Sequence, residues 1–206
     1  MADLATIKAG IMAGQREAVV SAIQAGIDAG DSVADILDNA MIPAMREMGD
    51  KFSRNEVYVP QMLIAARAMQ AGLELVEPIL ASTDHEPLGK VCIGTVKGDL
   101  HDIGKNLVAI MLKGAGYEVV DLGVNCDTAK YQSGVEQGAT VVACSSLLTT
   151  TMTYMKDVVE HFKDQDVKII IGGAPVTQEF CDSIGADGYS DDANGAVILV
   201  DSLLSK

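Results

Sequence analysis

Gly98-Asp99-Leu100-His101-Asp102-Ile103-Gly104 stands between two contrasting patterns. Before it runs an apolar, β-branched stretch from Val91 to Val96; after it, apolar residues recur at helical spacing from Ile103 to Leu112. The junction reads as a strand that ends in glycine and turns into a helix. Open α/β sheets bind ligands at such turns, where the first helical N–H groups also lack intrahelical partners. In an extended segment residues i and i+2 point the same way. Asp99 can therefore reach one ring nitrogen of His101 and leave the other available. A carboxylate so placed fixes the imidazole tautomer and raises its basicity toward a metal. A single histidine at such a junction is more often a hydrogen-bonded loop residue than a ligand, and Asp99 and Asp102 serve equally well as helix caps. The rest of the chain separates these readings.

From Lys90 onward, short apolar runs alternate with helical periodicity. The pattern predicts strands over 90–96, 118–122, 140–145, 167–171 and 187–189. It predicts helices over 103–115, 127–137, 151–163, 176–184 and 192–204. Alternating βα units imply a parallel sheet with right-handed crossovers and helices on both faces. Three further strand ends carry hydroxyls or glycines: Ser145-Ser146-Leu147-Leu148-Thr149-Thr150-Thr151, Gly172-Gly173-Ala174-Pro175 and Asp187-Gly188-Tyr189-Ser190. Such residues suit a large polar ligand that approaches backbone closely, although each is also ordinary turn and cap chemistry. Together they converge with Asp99 and His101 on one end of one sheet.

Residues 1–82 read as helix almost throughout. Ala, Met, Leu, Ile and Glu dominate and strand-like alternation is absent. Helices are expected near 3–12, 15–28, 32–52 and 58–80, with Pro43 kinking or splitting the third. Gly30-Asp31-Ser32 gives a stop and then a cap, and Pro60 suits a first turn. Short loops between such helices imply a four-helix bundle. The polar stretch 83–89, with Pro87 and Gly89, reads as a linker before the 90–206 domain, and His85 within it as exposed and without a role.

The 206 residues carry 15 basic and 29 acidic side chains, for a net charge of −14. Phosphate recognition needs clustered positive charge, so nucleic acid and anionic membrane surfaces are poor partners. No apolar run approaches the roughly 18 residues of a membrane helix. The first twenty residues lack the basic start and apolar run of a secretory signal, which points to the cytoplasm. The four cysteines, Cys92, Cys126, Cys144 and Cys181, form no C-x-x-C pair, so no zinc ribbon or thioredoxin-like site is signalled. Cys92 and Cys144 read as small core hydrophobes; Cys126 falls in a loop at the ligand end.

The ordered set Asp99-Leu100-His101-Asp102-Ile103-Gly104, then Ser145-Ser146-Leu147, then Gly172-Gly173 resembles the D-x-H-x-x-G, S-x-L and G-G pattern of cobalamin-binding domains. These are the domains of cobalamin-dependent methionine synthase, adenosylcobalamin mutases and corrinoid methyltransferase proteins. The N-terminal half, through Gly49-Asp50-Lys51-Phe52 and Val57-Tyr58-Val59-Pro60-Gln61, is similar to the helical methyl-cap domain of the methyl-transferring members. The likeness covers almost the whole chain and is nearest to the small two-domain corrinoid proteins of anaerobic one-carbon metabolism. It implies an α/β protein: an N-terminal four-helix bundle, then a Rossmann-like, flavodoxin-like doubly wound parallel sheet of five strands.

The resemblance also implies roles. His101 would bind the cobalt of cobalamin or a related corrinoid (methylcobalamin) from below, displacing the cofactor's own base, the base-off/His-on state. Asp99 would hydrogen-bond His101. Thr151 falls where methionine synthase completes this relay with serine; it keeps the hydroxyl and adds a methyl group. Gly98, Asp102, Ile103, Gly104, Ser145, Leu147, Thr149, Gly172, Gly173 and Tyr189 would contact the cofactor. Several of these would line a slot for its displaced nucleotide tail. Phe52 and Val59 would cover the upper face, Val59 being smaller than the leucine often found there. In the family, reduced cobalt(I) takes a methyl group from a substrate-specific methyltransferase. It yields that group to a second one that uses tetrahydrofolate or a thiol, and a reductive activator restores oxidised cobalt. The chain would thus be a carrier rather than a catalyst on its own. The methyl donor and the final acceptor stay open.

Leu100-His101-Asp102-Ile103-Gly104-Lys105 is also similar to the signature of HD-type metal-dependent phosphohydrolases. Those are all-helical and need further histidines, whereas only His85 and His161 remain here. A cobalamin-binding sensor would need a DNA-binding domain, for which there is neither room nor basic charge. The light-sensing type also places a tryptophan in its cap, and this chain has none. A methyl-type cap weighs against a mutase subunit, and a cobalt-free flavodoxin-like module would leave the three-part pattern unexplained.

Overall fold

The structure, a computed structural model, describes residues 2–83 and 86–205. His85 lies outside the described residues. The chain divides into two compact units, Met1–Glu86 with Gly114–Gly116, and Pro87–Lys113 with Tyr117–Lys206. The division falls inside the 83–89 stretch.

The first unit is helical: α1 (Leu4–Met12), α2 (Arg16–Asp28), α3 (Val33–Ile36), α4 (Ile42–Ser53) and α5 (Val59–Leu80). The helix expected over 32–52 is broken into α3, a π-helical turn (Leu37–Met41) and α4. The cause is Pro43. It sits in the first turn of α4 and has no N–H to give, and the wider turn lets Ile42 N–H reach the Leu37 carbonyl instead. Ser32 caps α3 by accepting from Asp35 N–H (3.2 Å). Asn55 takes the left-handed φ of 58° at the turn between α4 and α5. Ile7, Ile11, Val19, Ile23, Met41, Met62 and Val76 are fully buried. Each such aliphatic side chain contributes roughly 1.5–3 kcal/mol. Glycine keeps the helices close: a Cβ on Gly72 of α5 would lie 2.8 Å from Ile23 Cδ1 of α2.

The second unit is a five-stranded parallel sheet of β1 (Lys90–Thr95), β2 (Glu118–Asp121), β3 (Val141–Ser145), β4 (Lys168–Gly172) and β5 (Gly188–Ser190), in the order β2-β1-β3-β4-β5. The helices are α6 (Ile103–Gly114), α7 (Thr128–Glu136), α8 (Thr149–Met152), α9 (Met155–Phe162), α10 (Gln178–Ile184) and α11 (Ala193–Leu204). The helix expected over 151–163 is two, α8 and α9, separated at Thr153 and Tyr154. Cys92, Val142, Cys144, Ile169 and Ile171 face one core with Tyr131, Val158 and Phe162. Gly134 lets α7 close on it, since a Cβ there would lie 2.5 Å from Cys92 Cβ. The alternate strand residues Val91, Ile93, Ala143 and Ile170 are equally buried, and α11 brings Leu199 against Gly188 of β5. Burial on both faces explains why the strands read as continuous apolar runs.

The register brings the strand ends into line. Thr95, Ser145, Gly172 and Ser190 pair in one row across four strands. The loops that leave these strands therefore start level, at one edge of the sheet. The strand order reverses between β1 and β3, the place where doubly wound sheets open a crevice. Among the described residues, no helix is long and apolar enough to cross a membrane.

Candidate functional site

The loops after β1 and β3 meet at Asp99. This residue is fully buried. Its Oδ1 accepts from His101 N–H (3.0 Å) and lies 2.7 Å from His101 Nδ1. Its Oδ2 accepts from Leu147 N–H (2.8 Å), Thr151 Oγ1 (2.8 Å) and Ser146 Oγ (3.1 Å). Ser146 and Thr151 hydroxyls also meet each other at 2.8 Å. Burial by itself would push this carboxyl up. The N–H groups of His101 and Leu147, with the His101 ring and the Thr151 hydroxyl, outweigh it and hold Asp99 well below the usual carboxylate range. Asp99 is thus an ionised, oriented acceptor. The side chain of His101 stays half-exposed, at 52%. With Nδ1 committed to Asp99, Nε2 is the nitrogen left for a ligand.

The loop is held at its own backbone as well. Thr95, fully buried at the end of β1, donates through Oγ1 to the His101 carbonyl (2.8 Å). Asp99 N–H bonds the Val96 carbonyl (3.1 Å), and Gly98 turns the chain with a φ of 84°. Asp102 is exposed; its carbonyl and carboxylate accept from Asn106 N–H (2.7 Å) and Nδ2 (3.1 Å) in the first turn of α6. Lys105, the last residue of the phosphohydrolase-like string, turns away: it is buried and paired with Asp121 (2.5 Å). That string follows a strand of a parallel sheet, not a helix of an all-helical fold. Among the described residues, no group of three metal-ligating side chains gathers around it.

A large ring with a polar tail fits this edge. Leu100 and Ile103 are 70% and 79% exposed, and Leu147 and Leu148 beside them are 45% and 42% exposed. These are four exposed large apolar side chains on the two loops that meet at Asp99, a feature that marks binding surfaces. A Cβ built on Gly104 would meet nothing within 4 Å, and its φ is not in the left-handed range. Folding therefore does not require glycine there, and the backbone at the start of α6 is open to close approach. Gly173 differs. Its φ is 125° and a Cβ would fall 1.9 Å from the Ser146 carbonyl oxygen, so the loop after β4 needs glycine to pass the loop after β3. A Cβ on Gly172 would stand 3.0 Å from the Ser190 carbonyl oxygen. On the Thr151 side, Lys97, Thr150, Thr151, Thr153, Tyr154 and Asp157 line an open cleft of about 480 Å³.

The sheet edge thus gathers Ser145 and Gly172 at the ends of β3 and β4 with Gly98, Asp99, His101, Asp102, Ile103, Gly104, Leu147, Thr149, Thr151 and Gly173 on the loops and helix starts after β1, β3 and β4. Tyr189 is half-buried in β5 and packs against the core of the sheet. Phe52 and Val59 lie in the helical unit, in the last turn of α4 and at the first residue of α5. Cys126 is fully buried, and its thiol is raised by burial; an accessible loop thiol is ruled out. Sequence reasoning took Ser145 and passed over Ser146, which makes the contact to Asp99. It also missed Thr95 and Asn125, which hold the loop. Adjacent serines gave no means of choosing, because strand alternation ends where the loop begins.

The chain matches the family description "B12 binding domain" twice, over residues 89–198 and over residues 4–77. It is 33% identical to a corrinoid protein of Desulfitobacterium hafniense (strain Y51), over 100% of this chain and 99% of that one. It is 39% identical to the trimethylamine corrinoid protein of Methanosarcina barkeri, covering 92% of this chain and 88% of that one. Among solved structures, a chain of the methanol:cobalamin methyltransferase complex MtaBC from Methanosarcina barkeri superposes with a TM-score of 0.88. It is 28% identical, covering 98% of this chain and 79% of that one. A cobalamin-binding protein from Desulfitobacterium hafniense DCB-2 gives a TM-score of 0.80 at 27% identity, covering 98% of both chains. With the sheet-edge histidine, its buried carboxylate and both matched domains in place, the chain belongs to the B12-binding family of corrinoid proteins of methyltransferase systems.

Proposed function

We propose that this protein carries a methyl group on a bound corrinoid between two methyltransferases, with His101 as the lower ligand of cobalt in a base-off/His-on state. The observation that carries the reading is the His101–Asp99 pair: a half-exposed imidazole whose Nδ1 is held at 2.7 Å by a fully buried carboxylate. When bound, the corrinoid supplies a nucleophilic reduced cobalt that takes a methyl group from one partner and yields it to another.

The chain's residues do the rest. Asp99 fixes the tautomer that presents Nε2 outward and increases its donor strength. His101 would hold the cobalt through Nε2, and the buried Asp99 carboxylate would keep the ring aimed at it through Nδ1. Ser146, Leu147 N–H and Thr151 keep Asp99 ionised. Leu100, Ile103 and Leu148 would supply exposed apolar surface to the bound corrinoid. Gly104, Ser145, Leu147, Thr149, Gly172 and Gly173 would line the slot for the displaced nucleotide tail, and Gly98, Asp102, Ile103 and Tyr189 would make further contacts with the cofactor. The helical unit acts as the cap, with Phe52 and Val59 as its cofactor-facing residues.

The partners are a substrate:corrinoid methyltransferase, a corrinoid:tetrahydrofolate or corrinoid:thiol methyltransferase, and a reductive activator. The names of the trimethylamine corrinoid protein and of the methanol:cobalamin methyltransferase complex support a partner of the first kind.

The test is the visible absorption spectrum of the purified chain mixed with methylcobalamin, beside His101→Ala. Stoichiometric retention with a base-off spectrum that the substitution changes is the expected result. Retention with identical spectra removes His101 from cobalt. No retention overturns the corrinoid reading.

A further inference from the structure

The loop that carries His101 is anchored from a second loop, after β2. Gly98 N–H donates to Asn125 Oδ1 (2.8 Å), and Asn125 N–H donates to the Asp99 carbonyl oxygen (3.0 Å). One residue thus brackets the Gly98–Asp99 dipeptide from its N–H to its carbonyl. Asn125 does so with a left-handed φ of 52°, a conformation that asparagine tolerates better than most residues. Its own position is fixed from both sides. Thr95 N–H bonds the Gly123 carbonyl (3.0 Å), Cys126 N–H bonds the Thr95 carbonyl (2.9 Å), and Val96 bridges to Cys126. The loop after β2 is therefore stitched to the last residues of β1, and its single projecting carboxamide reaches the turn at Gly98.

We infer that Asn125 is a positioning residue for the lower-ligand histidine: its carboxamide sets the turn at Gly98 that aims Asp99 and, through Asp99, the His101 ring. The inference rests on His101 being the cobalt ligand proposed above. Asp99 ties His101 to the loop after β3 through Leu147 and Ser146; Asn125 supplies the opposing hold from the β2 side. Without the carboxamide, the loop after β2 holds this turn only through the Asn125 N–H on the Asp99 carbonyl. The imidazole then samples more directions, and less of it points at cobalt at any moment. Gly98 N–H is at an exposed site, so water replaces the lost acceptor and the fold persists.

Asn125→Gly and Asn125→Asp separate this role from a merely structural one. Glycine keeps the left-handed φ and removes only the carboxamide; aspartate keeps an acceptor oxygen at the same place. Two readouts are taken. In the cofactor-free chain, hydrogen exchange at the Gly98 amide accelerates in Asn125→Gly roughly fivefold, the worth of one hydrogen bond, and stays near the unsubstituted rate in Asn125→Asp. With methylcobalamin bound at saturation, the ratio of His-on to His-off spectra falls roughly fivefold in Asn125→Gly. Asn125→Asp restores it to within about twofold. An Asn125→Gly spectrum identical to that of the unsubstituted chain overturns the inference, as does an Asn125→Asp variant as depleted as Asn125→Gly. If the unsubstituted chain retains no methylcobalamin, the corrinoid reading fails separately. The ¹⁵N signals of the His101 ring in the cofactor-free chain then decide: if Asn125→Gly leaves them unchanged, Asn125 does not position the ring.

Discussion

Thr151 Oγ1 lies 2.8 Å from the same Asp99 oxygen that receives the Leu147 N–H at 2.8 Å. A side chain from α8 and a backbone N–H from the loop before it thus converge on one carboxylate lone-pair set, while the other oxygen is reserved for His101. The carboxylate ties the histidine loop to the loop after β3, and N–H and O–H donors from both loops stabilise its charge.

Asp99→Asn destabilises the fold by about 2–3 kcal/mol, measured by urea denaturation. A backbone N–H faces each carboxylate oxygen, His101 N–H at Oδ1 and Leu147 N–H at Oδ2, so either orientation of the amide turns its NH₂ against an N–H. Thr151→Ser stays within about 0.5 kcal/mol of the unsubstituted chain, because the hydroxyl is retained. Thr151→Val costs about 1 kcal/mol. A Val variant no less stable than the Ser variant would mean that the Thr151 hydroxyl contributes nothing to stability.

Gly173→Ala and Gly104→Ala part company. Alanine at 173 combines a φ of 125° with a Cβ 1.9 Å from a backbone oxygen, so stability falls by at least roughly 2 kcal/mol. Alanine at 104 meets nothing within 4 Å and raises helix propensity, so stability holds or rises by up to about 1 kcal/mol. Methylcobalamin retention nevertheless weakens in Gly104→Ala. A more stable variant with undiminished retention would free Gly104 from any part in the cofactor slot.

The thiols are unreactive in the folded chain. All four cysteines are buried and unpaired in disulfides. Burial pushes the Cys92 thiol up to about 12 and raises Cys126, Cys144 and Cys181 as well. Iodoacetamide at about pH 8, near the ordinary thiol value, should label none in the native chain and all four in denaturant. Labelling of Cys126 in the native state would show that the loop after β2 opens.

Stability falls on the acid side. The carboxyl of Asp121 is pushed up by partial burial, but Lys105 and the Gly123 N–H outweigh this and hold it below its ordinary value; Asp99 is depressed too. A carboxyl whose folded value is depressed contributes stability that is complete above its unfolded value, about 4, and is lost as pH falls through the folded one. The urea midpoint should hold steady from neutral pH to about pH 5 and decline below about pH 4. Asp121→Asn should decline less steeply. Equal slopes would mean that the Lys105–Asp121 pair contributes nothing to acid sensitivity.

The sequence by itself determined the parts that depend on near neighbours. Residue period separated the helical half from the βα half, and the i, i+2 geometry of Asp99 and His101 placed carboxylate and imidazole together. The glycine after β1 marked where the strand turns. Each of these follows from dihedral preferences and side-chain direction over a few residues. Tertiary structure alone decided the rest. Which strands are neighbours, the order β2-β1-β3-β4-β5, is not written in any local period, yet it brings Ser146 to Asp99 from 47 residues along the chain. The same holds for Asn125, which meets Gly98 across 27 residues because β2 lies beside β1. Nor did periodicity distinguish Gly173, demanded by a backbone crossing, from Gly104, which the fold leaves open. Those differences arise only when loops distant in sequence start level at one sheet edge, where packing and unsatisfied backbone groups settle what each residue touches.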